Sequence, residues 1–235
     1  LLEFITARDI FLIEDCCESH GAEFDGVKVG TKGVGSNFSF YYGHHITTIE
    51  GGMVCTNSDG LYQLLRMLRS HGLVRECTDQ SMKDYYLNLN PEPAPEFVFA
   101  YPGFNFRGTE IGAFLGELQL ARLDHYIKIR KKNFDVFLSA LDPEIFFTDF
   151  SVEGNSNFGL PLILNEKAIG LMNKVIMVLE KNKVVFRRGV AGGGNQLRQP
   201  YLRNKNYGVP EDFPRTDHIH YFALYIGNHQ YVKHE

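Results

Sequence analysis

Asn37-Phe38-Ser39-Phe40-Tyr41-Tyr42-Gly43-His44-His45-Ile46-Thr47-Thr48-Ile49-Glu50-Gly51-Gly52 reads as a strand that runs into a loop carrying two histidines and closes on paired glycines. The aromatic residues up to Tyr42 are strand formers, whereas Gly43 and Gly51 break the pattern. A further strand, Gly52-Met53-Val54-Cys55-Thr56, follows directly, and a turn punctuated by Gly30, Gly33 and Gly35 precedes. Further upstream, Ile10-Phe11-Leu12-Ile13 is a short apolar run that ends in Glu14-Asp15. It suits a strand buried on both faces with acidic residues at its carboxyl end, where ligands gather in open α/β sheets.

From Asp59 the spacing turns helical, with Leu61, Leu64, Leu65, Met67 and Leu68 recurring at three and four up to Gly72. Residues 76 to 101 are polar and contain Pro91, Pro93 and Pro95, which predicts an excursion loop. One long helix is expected from about Thr109 to Leu141, its core stripe formed by Leu115, Leu118, Leu120 and Leu123. After Asp142-Pro143, the strand pattern Phe158 to Leu164, a helix from Glu166 to Lys181 and Val184-Val185-Phe186 predict a small β-α-β domain. The domains are thus expected at 1–141 and 142–235. Ala191-Gly192-Gly193-Gly194-Asn195 lacks the strand-to-helix context and lysine of a phosphate-binding loop.

The chain has 235 residues, 44% hydrophobic and 22% charged, enough for one sizeable domain and a smaller one. A net charge of −4 gives no electrostatic reason to expect nucleic acid or an anionic membrane as partner. The one dense basic run, Lys128-Ile129-Arg130-Lys131-Lys132, falls in a helical pattern and reads as a solvated face. Cys16, Cys17, Cys55 and Cys77 have neither metal nor disulfide-scaffold spacing, and no apolar run is long enough to cross a bilayer. A cytoplasmic setting is the default expectation. Leu1-Leu2-Glu3-Phe4 reads as the tail of a helix already under way, which predicts a fragment.

A carboxylate at the end of a buried strand needs a cationic or hydrogen-bonding partner. Asp15 is therefore either a structural or capping aspartate or a ligand-binding one, and its neighbours Glu18 and His20-Gly21 favour the second reading.

Four blocks together resemble the DegT/DnrJ/EryC1/StrS sugar aminotransferases over nearly the whole chain. They are Ile13 to Gly21, Phe38-Ser39-Phe40 with Ile46 to Gly52, Arg69-Ser70-His71-Gly72, and Gly103-Phe104-Asn105-Phe106-Arg107 with Glu110 and Gln119-Leu120. The resemblance implies a pyridoxal-phosphate enzyme of the aspartate-aminotransferase fold (fold type I). This chain would supply the C-terminal part of the cofactor domain, a mixed α/β sheet flanked by helices, plus a small α+β domain. The N-terminal half, with its phosphate turn and stacking aromatic ring, is not in the sequence.

In the family, a lysine of the Ser39 segment bonds covalently to the cofactor, and alignment on Glu50-Gly51-Gly52 places His44 there. An imidazole cannot make that bond, but it exchanges protons near neutral pH. The 3-dehydratases of 4-keto-6-deoxy nucleotide sugars share this exchange; they work with pyridoxamine 5'-phosphate and restore its amine from L-glutamate. Glu18, where aminotransferases carry glutamine, points to the same branch, and the chain has no cysteine cluster for an iron–sulfur centre.

The resemblance implies a role for each matching residue. Asp15 pairs with the pyridine nitrogen, Glu18 approaches the ring hydroxyl, and Ser39 binds the phosphate. Asn105 reaches the cofactor of a second subunit, which implies a homodimer, and His71 receives the glutamate carboxylate. His229, in Gly227-Asn228-His229-Gln230, is placed near the substrate. His44 is preferred to His45 as the proton carrier, with His45 a packing neighbour. His71 reads equally as a helix cap. Arg107 and Arg187 suit either substrate phosphates or salt bridges. The leading reading is a nucleotide-sugar 3-dehydratase of dideoxysugar biosynthesis; the alternatives are an aminotransferase with altered activity and a silent, truncated dimerisation partner.

Overall fold

The structure, a computed structural model, describes residues 2–189 and 192–232. The chain runs α1 (Leu2–Thr6), β1 (Ile13–Asp15), β2 (Glu23–Phe24), β3 (Val27–Lys28), β4 (Gly35–Ser39), β5 (Gly52–Cys55), α2 (Asp59–Leu68), α3 (Gln80–Leu89), α4 (Glu110–Leu120), α5 (Leu123–Ala140), β6 (Gly159–Ile163), α6 (Met172–Lys181), β7 (Phe186–Arg188), α7 (Pro214–Phe222) and β8 (Ala223–Gly227). It forms two compact units, one of Leu1–His20 with Gly26–Arg122, the other of Gly21–Asp25 with Leu123–Glu235. The whole of α5 therefore goes with the second unit, whereas the sequence placed the boundary at 141/142.

In the first unit the strands lie in the order β1-β4-β5. Strand β1 is parallel to β4, with Asp15 opposite Asn37, and β5 returns antiparallel, with Gly52 opposite Ser39. The strand expected from Ile10 is shorter than its apolar run and is not buried on both faces: Phe11 is 80% exposed and Ile13 70%. The core lies instead around the end of α2, where Met67, Leu73, Val74, Cys77 and Val98 are buried.

Helix α2 starts at Ser58, whose hydroxyl accepts from Leu61 N–H at 3.3 Å, a standard N-cap. It ends where His71 and Gly72 turn left-handed (φ 64° and 81°) and Gly72 N–H returns to Met67 O at 2.8 Å. A side chain at Gly72 is impossible, since its Cβ would lie 1.8 Å from Tyr101 O. The expected excursion loop contains helix α3. Asp79 caps it, accepting from Met82 N–H at 2.8 Å, and the prolines fall after it, where they leave its ladder intact.

The single helix expected over 109–141 is two helices, α4 and α5, broken at Ala121-Arg122. The proposed leucine stripe is not a core face, for Leu118 and Leu120 are 49% and 61% exposed. In α5 the buried positions are Ile127, Arg130, Asn133 and Phe134.

The second unit carries an antiparallel sheet in the order β6-β8-β7. This is a correction to the expected β-α-β reading, because β8, unrecognised in the sequence, inserts between the two strands that were expected. Leu162, Leu164, Ala168, Met172 and Leu224 form its core, with Phe137 of α5 and Leu141 just after it packed on it. The basic run is also not simply a solvated face: Arg130 is buried and donates to Asn228 O. Asn228 in turn donates to Arg130 O at 3.0 Å and accepts from Asn133 at 2.9 Å, which pairs most of the buried polar groups here and leaves Arg130 Nε without a partner among the described residues. No helix among the described residues is long and apolar enough to cross a membrane.

Candidate active site

Alternation along β1 sends Glu14 and Asp15 to opposite faces. Glu14 faces the glycine-punctuated turn and gathers the backbone N–H groups of Gly30, Lys32 and Gly33, each at 2.7 Å. Burial pushes its carboxyl up, but those bonds outweigh it and hold the group below the usual carboxylate range. Sequence reading missed this role; the signal was an acid sixteen to nineteen residues before a run of glycines.

Asp15 stands exposed at the carboxyl end of β1. The Cys17 side chain and backbone N–H, with the Asn37 amide, keep its carboxyl below the ordinary range. The Asn37 amide donates to Asp15 Oδ1 at 2.9 Å, and Cys17 N–H at 3.1 Å. The result is an ionised carboxylate fixed from the neighbouring strand. Cys17 is not a nucleophile here, because burial, with Asp15 beside it, pushes its thiol up to about 11.

Ser39 ends β4, and Gly52 faces it across the ladder. Its hydroxyl accepts from Tyr41 N–H at 3.2 Å. Beyond it the chain loops out and back: Phe40 N–H bonds Gly51 O and Thr48 N–H bonds Phe40 O, both at 2.9 Å. Within this loop His44 N–H turns onto Tyr41 O at 3.0 Å. The imidazole stands edge-on to Tyr41, ring centroids 5.4 Å apart, and its Nε2 lies 3.9 Å from Glu18 Oε1. His44 is thus largely enclosed yet faces a half-exposed carboxylate. His45 is buried and packs on the buried His20, centroids 5.3 Å apart, with Phe38 and Phe40 around His20. Burial, then the nearby His44, pushes His20 down to about 4.

A second polar group forms where α2 ends. His71 N–H donates to Phe104 O at 2.6 Å, Ser70 pairs with Asn105, and Arg107 Nε donates to Asn105 Oδ1 at 3.2 Å. Gly103 permits the crossing, since a Cβ there would lie 2.2 Å from Gly72 N. His71, Asn105 and Arg107 are all exposed. Arg187 and His229 belong to the second unit. Arg187 lies on β7 opposite Tyr225, and His229 accepts from Tyr231 N–H at 3.1 Å while its carbonyl holds Asn133. Among the described residues no group of three His, Cys, Asp or Glu could hold a metal ion.

The DegT/DnrJ/EryC1/StrS aminotransferase family matches residues 1–235. A GDP-4-keto-6-deoxy-D-mannose 3-dehydratase of Yersinia pseudotuberculosis is 31% identical over 95% of this chain and 56% of its own length. A GDP-perosamine synthase of Caulobacter vibrioides is 34% identical over 56% of this chain and 31% of its own. A structure of E. coli GDP-4-keto-6-deoxy-D-mannose-3-dehydratase with bound hydrated PLP superimposes with a TM-score of 0.82 at 29% identity, covering 97% of this chain and 58% of that one. The chain therefore spans little more than half the length of the dehydratases it matches, and its fold is that of the pyridoxal-phosphate aminotransferases.

Proposed function

Because this chain belongs to the DegT/DnrJ/EryC1/StrS aminotransferase family, we propose that it is the larger part of a pyridoxamine-phosphate-dependent 3-dehydratase acting on a nucleotide-linked 4-keto-6-deoxy sugar such as GDP-4-keto-6-deoxy-D-mannose. One observation carries the reading: His44, not a lysine, occupies the loop after Ser39 and faces the Glu18 carboxylate at 3.9 Å.

The donor set fits the cofactor. An ionised, oriented carboxylate at a strand end, Asp15, suits a protonated ring nitrogen; Glu18 suits the ring hydroxyl; and the Ser39 hydroxyl, opposite a glycine, suits a phosphate oxygen. Bound there, pyridoxamine phosphate supplies an amine for the sugar ketone and a ring that accepts electrons.

The chain's own contribution is positional and acid–base. Asp15, held by Asn37 and Cys17, keeps its charge and its direction. His44 takes up and returns a proton at Nε2, and Tyr41 and Glu18 orient the ring. His44 cannot anchor a carbonyl covalently, so a lysine-dependent release of aminated sugar is closed to it, and its imidazole serves the proton transfers by which the C3 hydroxyl leaves as water. His71 is assigned to the carboxylate of L-glutamate, Arg107, Arg187 and His229 to the nucleotide sugar, and Asn105 to the site of a second copy in a homodimer.

The intact protein, supplied with pyridoxamine phosphate, the keto sugar and L-glutamate, is expected to release ammonia and 2-oxoglutarate. Aminated sugar without ammonia would instead support a transaminase, the reading favoured by the perosamine-synthase relative.

A further inference from the structure

We propose that Gln119 is a positioning residue for His44, acting through the backbone of Thr47; this rests on the acid–base role assigned to His44. Gln119 lies on α4, seventy-two residues from the loop it touches. Its carboxamide matches both backbone polar groups of one residue. Oε1 accepts from Thr47 N–H at 3.1 Å, and Nε2 donates to Thr47 O, with a further bond to Leu115 O at 3.3 Å.

The same helix face receives the next loop residue. Gly116 and Gly112 lie about one and two turns N-terminal to Gln119 on that face. A Cβ at Gly112 would lie 3.6 Å from Thr48 Cβ, and one at Gly116 3.2 Å from Thr48 Cγ2. Gly116 thus lets Thr48 approach the helix closely, Gly112 leaves it ordinary contact, and Gln119 fastens the residue before it. On the loop's own side, the Thr47 hydroxyl donates to Phe40 O at 3.1 Å and accepts from Ile49 N–H at 2.8 Å.

The returning half of the loop is therefore clamped on both sides. His44, three residues before the clamp, is also tied to Tyr41. With both ends fixed, the chain between them has little freedom to move the imidazole relative to Glu18. Among side chains of this length only glutamine presents both the acceptor and the donor. Glutamate keeps the acceptor and loses the donor; leucine loses both.

The test is Gln119→Leu and Gln119→Glu in the intact protein. Amide hydrogen exchange at Thr47 is read beside the kinetics and the His44 ring resonances. In Gln119→Leu, Thr47 is expected to exchange rapidly and the His44 ring signals to shift. The kcat is expected to fall about 10²-fold, the scale of a small misplacement at a reacting centre, while KM for the sugar stays within about threefold. Gln119→Glu is expected to fall between the two. Slow exchange at Thr47 in Gln119→Leu overturns the proposal, as does a wild-type kcat in a variant that exchanges rapidly. A failure of the underlying reading shows separately, as wild-type turnover in His44→Asn.

Discussion

The two three-stranded sheets of this chain are held by different means. In β6-β8-β7 the inward residues are leucines, with Leu160, Leu162 and Leu224 all buried, and burial of apolar area carries the stability. In β1-β4-β5 the two outer strands are largely exposed, β5 along its whole length, and only the central β4 is buried or half-buried. Side-chain hydrogen bonds define it instead: Glu14 to the backbone of the 30–33 turn, Asn37 to the Asp15 carboxylate, and Gln119 to the backbone of Thr47. Polar contacts are directional, so they fix where a group points, whereas packing chiefly fixes that the region stays folded. The sheet bearing Asp15, Ser39 and the His44 loop is organised for direction.

The contrast breaks first if substitution in the core packed on the leucine sheet proves harmless. Leu164→Ala, at a position 1% exposed, is expected to cost about 2–5 kcal/mol in denaturant unfolding, with cofactor titration unchanged below the transition. Acid should separate the sheets next. The His20 pKa of about 4 lies below its ordinary 6.5, so the unfolded chain takes the proton first. This contribution is complete above about pH 6.5 and is lost as the pH falls to about 4, a change of about 3 kcal/mol. Hydrogen exchange should accordingly loosen β4 before β8; equal loosening of both would contradict the assignment.

A smaller effect is expected from Glu14→Gln. The variant keeps one acceptor oxygen and turns an amide NH2 toward the backbone donors that the other oxygen served, at a cost of about 1–3 kcal/mol. It should be felt in the exchange of the Gly30, Lys32 and Gly33 amides and not in β8. Protection unchanged at those amides would mean that Glu14 does not organise the turn.

Strand ends were legible in the sequence because glycines and acids mark them, and so Asp15 could be singled out before its partners were visible. The His44 loop was legible for the same reason, its ends being Ser39 and Gly51-Gly52. Contacts across long stretches of sequence were not, and the clamp from Gln119 to Thr47 leaves no local periodicity. The burial of Arg130 was hidden because its neighbours Lys128 and Lys132 are exposed, and the pairing that permits it comes from Asn228, far along the chain. Helix α3 was masked by the prolines that follow it, and the break at Ala121-Arg122 lacks both proline and glycine.

The most direct measurement compares ammonia release by the wild-type intact protein and by His44→Asn, with pyridoxamine phosphate, L-glutamate and a nucleotide-linked 4-keto-6-deoxy sugar. If His44 carries the proton, the wild type releases ammonia and the variant is slower by about 10²- to 10⁴-fold, while both titrate the cofactor alike. Equal rates in the two proteins, or no ammonia from the wild type, would contradict the account.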